Sequence, residues 1–150
     1  MLDSKIEYVN VLKQRALQYG IAINDAEACK LLHHLKLVIE ANESINLTRI
    51  TSICEGINLH ILDSLLYIAA NESIRESSGK LLDIGTGAGF PGIPIDICSP
   101  MQVTMIDSVG KKVRVLQSFV DELKLGNKTE CIQSRAEEFA SDRSESFEFV

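Results

Sequence analysis

Apolar residues recur at helical spacing through the first half of the chain. A helix over residues 4–19 is predicted by apolar side chains at every third or fourth position, and Gly20 would end it. Asn24 and Glu27 can form a capping box at the start of a second helix, predicted over residues 24–42. Ser52 and Glu55 can cap a third helical segment. Its expected core residues are Ile61, Leu62, Leu65 and Leu66.

The pattern changes after a polar run at residues 71–79. From Lys80 onward, short apolar strands alternate with amphipathic helices. The predicted strands are 80–84, 102–106, 129–133 and a fourth that begins at 147–150; the predicted helices are 91–98, 111–123, which Gly126 would end, and a short turn at 136–139. Such alternation predicts an α/β fold with a parallel, doubly wound sheet. We therefore divide the chain into a helical segment, 1–79, and the first half of a sheet domain, 80–150.

This sheet would be incomplete, because the sequence ends as the fourth strand begins. An edge strand and an apolar face would then lack the elements that normally cover them. We expect the 150 residues to be part of a longer natural chain.

A glycine-rich run, KLLDIGTGAGFPG, follows the polar joint. Glycine allows positive φ and close approach of the backbone to a ligand, so the run predicts a strand, a tight binding turn and a helix. From Gly87 it satisfies the dinucleotide pattern G-x-G-x-x-G, with Asp107 twenty residues further on. From Asp83 it has the acid-x-Gly-x-Gly-x-Gly form typical of S-adenosylmethionine-dependent methyltransferases. Gly85, which directly follows the strand, favours the second interpretation.

Charge and composition exclude several classes of function. The net charge of −6 argues against broad, nonspecific nucleic-acid binding, although residues 107–135 carry six Lys or Arg against four acids. The four cysteines form no C-x-x-C pair, so we expect buried, reduced thiols. The three histidines show no metal-binding spacing, and no metal is expected. We identify no run that approaches a membrane span and no signal peptide, and we expect a cytoplasmic protein.

Several motifs together resemble one bacterial family. They are LLDIGTGAGFPGIP, MIDSVGKKVRVL and SRAEEF, in that order, preceded by INLTRI and HILDSL. In this combination they resemble the bacterial small-subunit ribosomal RNA guanine-N7 methyltransferases, also called glucose-inhibited division protein B. The resemblance implies a Rossmann-like S-adenosylmethionine-dependent methyltransferase fold, with its C-terminal part missing and an N-terminal helical cap.

The resemblance also implies a cofactor site for S-adenosylmethionine. Its residues would be Gly85, Gly87, Phe90, Asp107, Ala136 and Glu137. Asp107 would meet the ribose hydroxyls; the competing interpretation is a helix cap. Phe90 has a competing interpretation as a core residue, and Glu137 as a solvated side chain. The family also uses an arginine shortly after the fourth strand, which would lie beyond Val150.

The implied substrate is small-subunit (16S) ribosomal RNA or a ribosomal particle, with the acceptor guanine unpaired or splayed out. Lys111, Lys112 and Arg114 are candidate RNA phosphate contacts, with an exposed helix start as the competing interpretation. Leu59 departs from the family, whose members often have arginine there. Because guanine N7 carries a free lone pair, no general base is needed, and we name no catalytic residue. We expect a monomer that binds neither membrane nor metal.

Two other functions are consistent with parts of the sequence. An NAD-dependent oxidoreductase would explain the G-x-G-x-x-G pattern and Asp107, but it would not explain the helical prefix or Asp83. A truncated domain that binds cofactor or RNA without transferring a methyl group is the second alternative.

Overall fold

The computed structural model describes residues 2–142 and 146–150. Its helical part comprises α1 (Leu2–Gln18), α2 (Asp25–Asn42), α3 (Ile53–Gly56), a π-helical segment (Ile57–Leu62), α4 (Asp63–Ala70) and a 3₁₀ turn (Glu72–Arg75). The part that follows comprises β1 (Lys80–Ile84), α5 (Gly92–Cys98), β2 (Gln102–Asp107), α6 (Gly110–Glu122), β3 (Thr129–Gln133) and α7 (Ala136–Asp142). The predicted alternation of strands and helices is confirmed, and strand β3 has the predicted bounds.

The predicted caps of the helical part are also confirmed. The Asn24 side chain accepts from the Glu27 N–H at 2.9 Å, and the Glu27 carboxylate accepts from the Asn24 N–H at 2.8 Å. This reciprocal pair satisfies two of the amides that the first turn of a helix leaves unpaired. Ser52 caps α3 in a similar way, since its hydroxyl accepts from the Glu55 N–H at 3.3 Å.

The helical run from α3 to α4 differs from its prediction in the burial of one residue. Ile61, Leu62 and Leu65 are buried as expected, but Leu66 is 38% exposed. The prediction assumed regular α-helical spacing, whereas the π-helical segment has more residues per turn and rotates the following turns relative to that pattern. Leu66 therefore faces a cleft rather than the core.

The same run also corrects the expectation that no segment approaches a membrane span. By length and composition alone, Ile53–Ala70 is long and apolar enough to cross a membrane. Such a run is weak grounds for a membrane helix, because core helices of soluble proteins pass the same test. Its residues Ile57, Ile61 and Leu65 pack within the main apolar core of the fold.

The three strands form a parallel sheet in the order β1-β2-β3. On the other side of β1, Phe149 forms a parallel bridge with Leu81, and the Leu82 N–H donates to the Phe149 carbonyl at 3.0 Å. The fourth strand predicted at 147–150 is thus a single bridge within the described residues. The order of strands across the sheet reverses at β1, because β2 and β3 lie on one side of it and the segment at Phe149 lies on the other. Open α/β sheets bind ligands beside the strand where the order reverses. This topology confirms the predicted α/β fold class.

Two helix ends differ from the sequence prediction. Pro91 precedes α5 as its cap residue, after a cis peptide bond from Phe90, and is not the first helical residue. Helix α6 ends before Gly126, because Lys124 takes the left-handed conformation with φ of 57°. The Leu125 N–H then donates to the Val120 carbonyl at 2.9 Å. Burial of Leu125 beside the end of α6 accompanies this early stop, as is usual for a helix that ends in a left-handed residue.

One apolar cluster runs through both parts of the chain. It contains buried residues from α1, α2, the helical run, β1, β2, α5 and α6. A polar contact fixes the base of the sheet: the Lys128 ammonium lies 3.0 Å from an Asp96 carboxylate oxygen and donates to the Ser99 carbonyl at 2.9 Å. The helical segment is therefore packed on the sheet, and the division at residue 79/80 stays a prediction from sequence.

Candidate functional site

The loop between β1 and α5, residues 85–90, stands at the carboxyl end of the sheet. We call it the glycine loop. Its start is held to β2, because the Gly85 and Thr86 amides donate to the Ile106 carbonyl at 2.9 and 3.2 Å. Gly85, Gly87 and Gly89 all have positive φ, at 72°, 60° and 88°. Residues with a side chain rarely adopt such angles, so the turn requires glycine.

The four glycines of the motif fall into two pairs. A Cβ on Gly85 would meet nothing within 4 Å, and one on Gly87 would meet only the Gly85 carbonyl oxygen at 3.8 Å. A Cβ on Gly89 would lie 2.6 Å from the Ile93 side chain, and one on Gly92 would lie 2.8 Å from the Asp83 carboxylate. The first pair therefore borders open space, whereas the second pair allows β1 and α5 to pack closely.

Gly85 borders a cleft of about 490 Å³ at the carboxyl ends of the three strands. We call this the sheet-edge cleft, defined by Gly85, Ile106, Asp107, Lys112, Ala136 and Glu137. It brings together four of the six residues that the sequence suggested for the cofactor, from the loops after β1, β2 and β3. Glu137 is exposed and Ala136 is half-buried.

Asp107 lies in the wall of the sheet-edge cleft, where it is 8% exposed. Its Oδ2 accepts from the Gly87 N–H at 3.2 Å, and its Oδ1 accepts from the Val109 N–H at 2.9 Å. Asp107 therefore holds the glycine loop to the start of α6, whose cap residue is Val109. Each carboxylate oxygen can accept more than one hydrogen bond, so this structural role leaves acceptors for a ligand hydroxyl.

A second cleft, of about 670 Å³, lies on the other side of the glycine loop, against the helical part. We call it the cap-side cleft, defined by Leu59, His60, Asp63, Leu66, Tyr67 and Gly87. Phe90 also lines it. Two of the six suggested cofactor residues, Gly87 and Phe90, thus border a different cleft from the other four.

Phe90 belongs to a cluster of rings that joins the helices to the glycine loop. Its ring stacks on His60 with 4.5 Å between centroids and 7° between planes, and it lies 4.5 Å from His34 at 34°. His60 is fixed in turn by a 2.8 Å hydrogen bond with the Thr48 hydroxyl. Partial burial lowers the pKa of His60, and the nearby Asp63 carboxylate opposes this effect.

His34 is a buried residue that the sequence argument did not assign. Its Nε2 lies 2.9 Å from the Ala88 carbonyl oxygen, so this nitrogen carries the proton and donates. Burial lowers the pKa of His34 to about 3, because the charged ring would lose its hydration. The signal in the sequence was a polar residue within the apolar stripe of α2, next to Leu35.

Asp83, the acid of the sequence motif, holds α5 in place. The side chain is 8% exposed, and Oδ2 accepts from the Gly92 N–H at 2.9 Å. Burial raises the pKa of Asp83 to about 6, whereas the hydrogen bonds from Thr86 and Gly92 lower it. The nearby Asp107 carboxylate adds to the upward shift. Asp83 therefore anchors the packed pair of glycines and does not line either cleft.

Comparison with known proteins places this geometry in a family. The family model "GidB: rRNA small subunit methyltransferase G" matches residues 27–150. The chain belongs to the GidB family. It is 36% identical over 142 residues to "Ribosomal RNA small subunit methyltransferase G" of Limosilactobacillus fermentum, with 92% of this chain and 58% of the relative covered. The protein of the same name from Pseudothermotoga lettingae is 38% identical over 133 residues, with 89% and 55% covered.

Membership of the GidB family confirms the resemblance drawn from the motifs and decides against the oxidoreductase alternative. The chain spans somewhat more than half the length of these relatives. Activity, substrate and partners of the whole relatives therefore do not transfer directly to these 150 residues.

The three candidate RNA contacts of this GidB-family chain are separated by the structure. Lys112 is half-buried and lines the sheet-edge cleft. Lys111 is exposed, with its ammonium 3.5 Å from the Ser44 carbonyl oxygen after α2. Arg114 is exposed further along α6. Lys111 and Arg114 lie three positions apart on α6, whereas Lys112 lines the cleft, and contact of these residues with RNA stays a prediction.

The cysteines are reduced but differ in burial. All four are free, as expected. Cys98 is buried, and burial raises its thiol pKa to about 12, while Cys54 is exposed. The expectation of burial is therefore wrong for Cys54, which lies in the short helix α3 at the surface.

Among residues 2–142 and 146–150, no group of three His, Cys, Asp or Glu side chains is arranged to hold a metal ion.

Proposed function

We propose that this chain forms the cofactor-binding part of an S-adenosylmethionine-dependent methyltransferase that acts on N7 of a guanine in 16S ribosomal RNA. The observation that carries the proposal is the sheet-edge cleft, where loops after three parallel strands meet beside the point at which strand order reverses. The name of the matching family, an rRNA small subunit methyltransferase, supports the reaction class.

The residues around the sheet-edge cleft fit such a cofactor. Gly85 presents backbone without a side chain to open space, so a ligand can approach it closely. Asp107 supplies carboxylate oxygens for the ribose hydroxyls, while Ala136 and Glu137 close the opposite wall. A cleft of about 490 Å³ is within the usual size range for small-molecule sites.

Methyl transfer to N7 requires this chain to bind and orient the cofactor and the guanine, and does not require it to move a proton. The cofactor, when bound, supplies an electrophilic methyl group. Guanine N7 attacks with a lone pair that is already free, so no side chain needs to act as a base. His34 and His60, the two buried or half-buried histidines near the loop, are committed to hydrogen bonds with Ala88 and Thr48. Alignment of acceptor and methyl group would provide the rate enhancement.

The proposal extends to partners and location. The substrate is small-subunit ribosomal RNA or a ribosomal particle whose target guanine is exposed, and the protein works as a monomer in the cytoplasm. The N-terminal helices and the basic residues of α6 are the RNA-docking surfaces.

Calorimetric titration with S-adenosylhomocysteine, with NAD titrated in parallel, tests the cofactor. We expect micromolar binding of the first and no binding of the second. Binding of NAD instead would contradict the proposal, whatever the family.

A second candidate is cofactor binding without methyl transfer, which the partial coverage of the relatives favours. Incubation of the chain with radiolabelled S-adenosylmethionine and unmethylated small-subunit particles separates the two. Incorporation of label by the 150-residue chain excludes the binding-only candidate. Incorporation only by a longer chain supports it.

A further inference from the structure

The cap-side cleft is not used by the cofactor residues around Gly85 and Asp107. One wall is a single face of the helical run from α3 to α4, because Leu59, Leu66 and Tyr67 each lie three or four positions from Asp63. The opposite wall is the glycine loop at Gly87. The cleft therefore borders the loop from the side opposite the sheet-edge cleft.

This helical face has the features of an incomplete contact surface. Leu59 is 59% exposed and Leu66 is 38% exposed, although both line a concave site. Between them along the helix lies Asp63, which is exposed and accepts no hydrogen bond from the part of the chain that the structure describes. Two exposed leucines around a free carboxylate suit a flat, apolar ligand that carries hydrogen-bond donors on one edge.

Charge excludes a phosphate as the occupant of this cleft. The described residues that line it include Asp63 but no lysine or arginine. The sheet-edge cleft, by contrast, is lined by Lys112 and Arg135. An anionic group would be repelled by Asp63, whereas a neutral group that donates hydrogen bonds would be attracted to it.

We propose that the cap-side cleft receives the acceptor guanine, with the Asp63 carboxylate accepting hydrogen bonds from its N1–H and N2 amino groups. This inference rests on the proposed function. Guanine has two donors on that edge, which match the two oxygens of a carboxylate. Adenine presents an acceptor at N1, and inosine lacks the N2 amino group, so both are disfavoured. Extruded bases are commonly recognised in this way, by hydrogen bonds to the pairing edge and by apolar contact with the faces.

The orientation that follows from this contact agrees with the chemistry. The N1–H and N2 donors of guanine belong to its six-membered ring, whereas N7 belongs to the five-membered ring. A base held at Asp63 by its pairing edge therefore turns N7 away from the helical wall and toward the glycine loop. Leu59 and Leu66 would cover its faces, and Asp63 is a specificity-determining residue rather than a catalytic one.

Binding of neutral nucleosides tests the inference without requiring methyl transfer. Guanosine, inosine and adenosine are titrated into the chain saturated with S-adenosylhomocysteine, and amide chemical shifts are followed by NMR. We expect guanosine to bind about tenfold more tightly than the other two, since a site built for a donor rejects analogues that lack it. Asp63→Asn should remove this preference. The control Glu72→Gln, which neutralises an exposed acid outside both clefts, should retain it.

A second variant protects the test if Asp63→Asn unfolds. Leu59→Ala removes an exposed side chain and should weaken all three nucleosides by a similar factor while retaining the preference for guanosine. Equal binding of the three nucleosides to the unmodified chain would overturn the inference. So would an Asp63→Asn variant that loses S-adenosylhomocysteine but keeps the guanosine preference, because the cleft would then belong to the cofactor. Failure of the unmodified chain to bind S-adenosylhomocysteine at all would instead contradict the proposed function.

Discussion

The two clefts that flank the glycine loop differ in the side chains that line them. The sheet-edge cleft is built from strand ends and carries charges of both signs, at Asp107, Lys112, Arg135 and Glu137. The cap-side cleft lies between one helical face and the glycine loop, and that helical face carries leucines, a tyrosine, His60 and a single acid. A polar cofactor with ribose and charged groups suits the first, and a planar base suits the second. A loop only six residues long separates the two environments.

The glycine loop can separate the two clefts because the glycines of the motif differ in their surroundings. Gly85 faces the sheet-edge cleft and Gly87 the cap-side cleft. A Cβ would meet nothing within 4 Å at Gly85, and only the Gly85 carbonyl oxygen, at 3.8 Å, at Gly87. Gly89 and Gly92 are enclosed by side chains of α5, α6, β1 and β2. The open pair therefore determines what can bind, and the packed pair determines whether the loop is held in place.

The largest effect is expected from Gly85→Val. Gly85 borders the sheet-edge cleft and a Cβ there meets no protein atom within 4 Å, so we expect the valine side chain to compete with the ligand and affinity for S-adenosylhomocysteine to fall by at least about a hundredfold. Positive φ adds a stability cost of roughly 1–2 kcal/mol, which must be separated from the loss of binding.

Gly20→Val is a matched control for that cost. Gly20 has φ of 77°, close to the 72° of Gly85, and a Cβ there also meets nothing within 4 Å. Both variants should lose similar stability in thermal unfolding, but only Gly85→Val should lose the ligand in calorimetry. Unchanged affinity in Gly85→Val would contradict the placement of the cofactor site.

Gly92→Ala should lower the stability of the fold more than it lowers access of a ligand to the glycine loop. Its methyl group would lie 2.8 Å from both the Asp83 carboxylate and the Met105 side chain, where overpacking costs about 2 kcal/mol. We expect a melting temperature lower by roughly 4–8 °C for a chain of this size. Thermal denaturation monitored by circular dichroism measures the shift. A melting temperature equal to that of the unmodified chain would show that the packed pair is not needed to hold the loop.

Local features of the fold were predictable because their causes are local. The capping box of Asn24 and Glu27, strand β3 and the turn at Gly85 each depend on residues within a few positions of one another. The predicted end of α6 at residue 123 lies one residue beyond the observed end, Glu122, but the left-handed residue that follows the helix is Lys124 and not Gly126.

The candidate site was predictable only in part. Spacing located Asp107, and the resemblance to a family located Ala136, after neighbouring strands whose ends a parallel sheet brings together. The contact of His34, His60 and Phe90 was not predictable, because these residues come from three segments that only the tertiary fold unites. For the same reason, no pattern in the sequence indicates that Gly85 and Gly87 border different clefts.

Acidification should lower the stability of the fold through His34, whose ring packs against Phe90 of the glycine loop. His34 is neutral in the fold with a pKa of about 3, against about 6.5 when unfolded, so unfolding takes up a proton as pH falls below 6.5. Its contribution to stability is present above pH 6.5 and declines by up to about 1.4 kcal/mol per pH unit towards pH 3. Asp83, whose pKa of about 6 is raised, acts in the opposite sense, losing its contribution as pH rises through 6.

The variant His34→Gln isolates the histidine contribution. Glutamine can donate an amide N–H to the Ala88 carbonyl but does not titrate, so the fall in stability below pH 6.5 should become shallower. Urea unfolding at several pH values between 4 and 8 gives the free energy of unfolding, and its slope against pH is compared between the two chains. Parallel slopes for the variant and the unmodified chain would exclude His34 as the source.

The smallest effect is expected at the candidate RNA contacts on α6, which lie outside the glycine loop. If Arg114 meets an RNA phosphate, Arg114→Ala should reduce the slope of log affinity against log salt concentration by about 0.7 and weaken binding several-fold. Lys124→Asn is the control, because it removes the same charge at the far end of α6 and asparagine tolerates the left-handed conformation of that residue. Fluorescence anisotropy with a small-subunit RNA fragment at several salt concentrations gives both slopes. Equal slopes for the two variants would mean that long-range charge, and not a contact at Arg114, accounts for the salt dependence, and RNA docking would then have to rest on the N-terminal helices.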